Sequence, residues 1–160
     1  MAVRGTCKLF QYTMLRVAEG EVDLSSDVLK LGIIDDTLIP AVDDTTPTWA
    51  TYSANEVTDA GNYTADGEAL TTIVSAMVGG IYTLTADDVN LAIHASGFLD
   101  GAYGILIDVT AGDVALGFVQ LDDGDGNPVS EQAGPVDIEW AGGVVLRLPA
   151  NALTWETPVT

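Results

Sequence analysis

From residue 70 to residue 148 the chain is a series of short apolar or alternating runs separated by turns too small to hold a helix, and this spacing constrains the fold most. The runs are "LTTIVSAM" (70–77), "GIYTLTA" (80–86), "VNLAIHA" (89–95), "YGILIDVT" (103–110), "DVALGFVQ" (113–120), "PVDIEW" (135–140) and "GVVLRL" (143–148), with "VLKLGII" (28–34) ahead of them. Their length and period of two mark strands. "TAGD" after the run at 103–110 and "AGG" after the run at 135–140 leave no space for a crossover helix, so antiparallel neighbours are expected at both places. The expected fold is all-β, an antiparallel two-sheet sandwich of jelly-roll type with about eight strands. A short amino-terminal helix over 7–18 is expected from apolar spacings near three and four in "CKLFQYTMLRVA". Residues 35–69, polar and punctuated by Pro40 and Pro47, read as a long excursion with at most one short strand or helical turn, and contact with a neighbouring subunit is one job for it.

At 160 residues and 48% apolar composition the chain is large and hydrophobic enough for one core. The division expected is an anchoring segment or helix at 1–20 and a single β-sandwich domain at 21–160. Cys7 stands alone, so no internal disulfide can form. Arg4, Lys8, Gln11 and Arg16 interrupt the amino terminus, and no long apolar run exists elsewhere; neither a membrane span nor a secretory signal is expected.

Charge is the most unequal property of the chain. There are 24 acids against five bases, and Leu31 to Leu146 holds nineteen acids with no lysine or arginine. Such a body repels phosphate backbones, so nucleic acid is not an expected partner. The first eighteen residues reverse the balance, with three bases and no acid. Arg4, Lys8 and Arg16 there lie among Leu9, Phe10, Tyr12 and Met14, and these seven residues are expected to form an interface outside the protein's own sandwich.

Motifs that would carry catalysis or metal binding are sparse. In "QLDDGDGNPVSEQ" (120–132) a calcium loop beginning at Asp123 finds Asp125 and Asn127 in register, but Pro128 takes the glycine position and Gly134 the glutamate position. A turn built by Gly124, Gly126 and Pro128 explains the same residues. His94, the single histidine, lacks a partner motif, no "GxSxG" elbow exists, and one cysteine with one histidine cannot build a structural zinc site. Paired acids at 35–36, 43–44, 87–88 and 122–123 point to opposite faces when in strands, which does not suit a glycosidase. Trp49, Trp140 and Trp155 are the candidates for a sugar-stacking floor, although Trp140 reads more simply as core. No cofactor and no catalytic residue is expected.

The order of "EVDLSSDVLKLGIIDDT", "GNYTADGEALT", "TLTADDVNLA", the "GILID…DVALGFVQL" pair and "PVDIEWAGGVVLRL" resembles a family of small virion structural proteins of tailed bacteriophages, over most of residues 20–150. The resemblance implies a noncatalytic capsid decoration or cement protein, a jelly roll in dimers or trimers. It would be made in the host cytoplasm and bind the outside of the major capsid shell. A neck or tail component is the alternative within that class, and a carbohydrate-binding module or virion glycosidase is the alternative outside it.

Overall fold

In the computed structural model, which describes residues 2–3, 7–123 and 125–148, the apolar runs become strands of mostly antiparallel sheets. The elements are β1 (Ala2–Val3), β2 (Cys7–Leu9), α1 (Gln11–Ala18), β3 (Leu29–Ile34), α2 (Trp49–Tyr52), β4 (Glu68–Ala69), β5 (Val74–Val78), β6 (Ile81–Thr85), β7 (Val89–Leu91), β8 (Tyr103–Asp108), β9 (Val114–Gln120), β10 (Val136–Ile138) and β11 (Val144–Leu148). The largest sheet runs β2-β9-β8-β3-β4, and all its pairings are antiparallel. Two three-stranded sheets run β11-β6-β5 and β1-β10-β7, the second with a parallel β1–β10 pair.

Strands β3, β8 and β9 are buried almost without interruption because both faces of the large sheet are covered. On one face Leu29, Leu31, Ile33, Leu106, Leu116 and Val119 join Leu84 and Leu146 of the first small sheet and Leu91, Val136 and Ile138 of the second in one cluster. On the other face Ile34, Ile105, Ile107, Ala115 and Phe118 meet Phe10, Trp49 and Tyr52. The excursion at 35–69 is therefore packed against the sheet: α2 buries Trp49 and Tyr52 on its outer face, and Tyr63 reaches the main cluster.

Two local expectations change. The "AGG" connection does not make a hairpin, because β10 pairs with β7 and β1 whereas β11 pairs with β6. Gly142 and Gly143 take φ of 65° and 73°, and Trp140 pins the corner by donating its backbone N–H to Asp88 Oδ1 (2.8 Å) and its indole N–H to the Asp87 carbonyl (3.1 Å). The chain leaves this corner into another sheet.

The helix expected over 7–18 begins only at Gln11. Cys7–Leu9 instead pairs with Gly117–Val119 as an edge strand, and Gly117 permits it: a Cβ there would stand 2.6 Å from the Lys8 carbonyl oxygen. Thr13, on α1, then donates its hydroxyl to the Leu116 carbonyl, tying the helix to β9.

Candidate association surface

Residues 7–18 of the amino-terminal segment pack against the large sheet. Arg4 lies outside the described residues. Phe10 is 1% exposed and packs against Tyr52 and Phe118 at centroid distances of 5.8 and 5.3 Å, so it is a core residue and cannot meet a partner in the folded chain. Leu9 is half-buried against the main cluster, and Met14 is half-buried on α1. The Arg16 guanidinium pairs with Glu21. Among the residues the segment exposes are Cys7, Lys8, whose ammonium lies 5.9 Å from the Phe118 ring centre, Tyr12 and, one turn along α1, Leu15.

Beside this segment the sheets leave an open apolar groove of about 240 Å³. Its floor is the inner face of the large sheet at Cys7, Leu9, Gly117, Val119, Gly104, Leu106 and Leu31, its opposite wall is Trp140, Val145 and Leu146, and Lys8 and Arg147 add two bases to the lining. Both flanking strands, β2 and β11, stand at sheet edges and pair on one side only among the described residues. Partial desolvation at the groove raises the pKa of the Cys7 thiol. Chemically the groove suits an extended apolar segment that takes backbone hydrogen bonds from an edge.

Several carboxylates of the paired acids are held by hydrogen bonds within the fold. Asp44 accepts the Tyr52 hydroxyl (2.8 Å), Asp87 accepts the hydroxyls of Thr71 and Thr72, and Asp88 accepts the Trp140 N–H. In the Asp-Gly loop, Asp123 Oδ1 accepts the backbone N–H of Asp125 (2.9 Å) and of Asn127 (3.2 Å), while Oδ2 accepts the Asn127 amide; these bonds hold the Asp123 pKa down. That is the geometry of an Asx turn. Trp49 and Trp140 are buried, the former giving its indole N–H to Asp66, and Trp155 lies outside the described residues. His94 is exposed, with Nδ1 accepting the Ser96 N–H.

Two fully buried acids escape sequence reading. Glu131 accepts the Asn62 N–H at Oε1 (2.6 Å), and its buried Oε2 has no hydrogen-bond donor among the described residues. Asp108 accepts the Ala111 N–H at Oδ1 (3.0 Å), and among the described residues its Oδ2 likewise has no donor. Burial, then the neighbouring Asp27 carboxyl, pushes the Asp108 pKa up to about 6. The folded state holds this proton more tightly than the unfolded chain. The contribution to stability is thus fully present below the ordinary value of 3.8 and is lost as pH rises through about 6. Asp108→Asn keeps an acceptor for Ala111 and offers Asp27 a donor. Thermal melts should show it more stable than the parent at pH 7, by on the order of 2 kcal/mol, with a flatter pH dependence between about 4 and 6.

No family model, curated protein or solved structure matches this chain. Function is read from the residues themselves.

Proposed function

We propose that the chain is a noncatalytic virion structural protein, a capsid decoration or cement protein that binds the outside of the major capsid shell and stabilises it. In this reading the two faces of the main core form a sandwich of jelly-roll type, and the protein acts as a dimer or trimer on the capsid exterior. The observation that carries the proposal is the open groove between β2 and β11: an apolar slot between two sheet edges on a chain of net charge −19. An extended segment of the major capsid protein laid there would gain backbone hydrogen bonds and remove apolar surface from water, at about 25 cal/mol per Å². Strong negative charge supports a protein partner over nucleic acid or an anionic lipid surface. Hydrogen bonding of Asp44, Asp87 and Asp88 within the fold, and burial of two of the three tryptophans, favours this reading over a sugar-directed one.

Cys7 is exposed at the groove, so Cys7→Arg sets a long charged side chain over an apolar floor without disturbing the core. In cosedimentation with shells stripped of the protein, the parent chain should bind and Cys7→Arg should bind about tenfold more weakly or not at all. Equal binding by both would remove the groove from the account, and failure of the parent chain to bind would remove the capsid.

A further inference from the structure

We infer that strand β5 is a self-association edge, through which two copies of the chain join their sheets by antiparallel pairing about a two-fold axis at Ala76. Strand β5 pairs with β6 alone among the described residues, in a regular five-residue register without a bulge. Gly79 and Gly80, both at positive φ (58° and 81°), close this hairpin with a two-residue turn. Edge strands that must remain single usually carry lysine, proline or a bulge. This one has none of them, and Val74, Met77 and Val78 are 53%, 67% and 60% exposed.

The occupant follows from charge and from symmetry. Ala69 to Ala86 is the longest uncharged stretch of the chain, in a protein with 24 acids and five bases. Two copies approaching through most other surfaces bring carboxylates together, whereas two β5 edges meet without like charges. An antiparallel pair centred on Ala76 sets Val74 against Val78 of the second copy, Ser75 against Met77, and Ala76 against itself. Each residue thus meets a small or apolar one across the axis. The product is a continuous six-stranded sheet, with β11, β6 and β5 of each copy running into the other. Its outer face carries Val74, Ala76 and Val78 beside Thr85, Thr83 and Ile81 of β6, their register partners. The inference stands apart from the capsid reading, because association of the purified chain with itself is measured without particles.

Sedimentation equilibrium of the full chain, from low salt to a few tenths molar, is the test. The parent should form a dimer that tightens as salt screens the remaining repulsion. Ala76→Lys, at an exposed position, sets two ammonium groups across the axis and should weaken the dimer by about tenfold or more while leaving the circular dichroism spectrum unchanged. If Ala76→Lys proves less stable, Ala76→Cys on a Cys7→Ser background gives an independent readout, a disulfide-linked dimer on mild oxidation. A parent chain that stays monomeric at high micromolar concentration in every salt would overturn the inference. So would a dimer that Ala76→Lys leaves intact, or an Ala76→Cys chain that does not cross-link.

Discussion

Phe10→Ala is expected to cost about 3–5 kcal/mol of folding stability, and removal of residues 2–18 is expected to leave no folded protein. Phe10 is where β2 ends and α1 begins, and its ring fills the space between Tyr52 of the excursion and Phe118 of β9. Truncation to alanine leaves a cavity between two elements that meet there, and neither can close it without shifting the sheet. The longer deletion removes an edge strand of the large sheet and the Thr13–Leu116 tie as well. Urea unfolding followed by tryptophan fluorescence measures the first effect. A truncated chain retaining cooperative unfolding would show that the segment is an appendage after all.

Gly97→Ala should be nearly as damaging, at about 3 kcal/mol, although it adds a single methyl group. The Glu131 side chain lies against both Gly61 and Gly97, and a Cβ on either glycine would overlap its Oε2. Neither party has room to yield. Glu131 is held at Oε1 by the Asn62 N–H, while Gly97 donates its N–H to the His94 carbonyl and accepts from the Gln132 side-chain amide at its own carbonyl. Gly134→Ala is the control, because among the described residues a Cβ there meets nothing within 4 Å and no comparable loss is expected. Thermal unfolding of the two variants side by side decides whether the cost comes from the buried carboxylate or from any lost glycine.

The residues show why some of this was legible in the sequence. Strands at 29–34, 103–108, 114–120 and 144–148 fall inside the runs that period and apolar content marked, since burial on one or both faces imposes those patterns. Strand β2 was hidden because three residues are too few to display a period and because Leu9 and Phe10 also fit the helical spacing that follows. "TAGD" and "AGG" look alike as short glycine turns, yet the first joins hydrogen-bonded neighbours and the second changes sheets. What separates them is the anchoring of Trp140 by Asp87 and Asp88, some fifty residues away in sequence.

The groove was legible only in fragments. Leu9 was singled out, but the far wall at Val145 and Leu146 depends on β11 joining β6, which composition does not encode. Burial of Asp108 and Glu131 has the same long-range origin, since nothing local distinguishes them from solvated acids. The edge status of β5 is a property of strand order, and a sequence shows a strand without showing what lies beside it.

The most direct measurement is the number of copies in a purified, intact phage particle, from quantitative densitometry against the major capsid protein. A decoration protein should be present in hundreds of copies, in a fixed small-integer ratio to the capsid subunits. Only a few copies would place the chain at the neck or tail, and its absence from the particle would contradict the account.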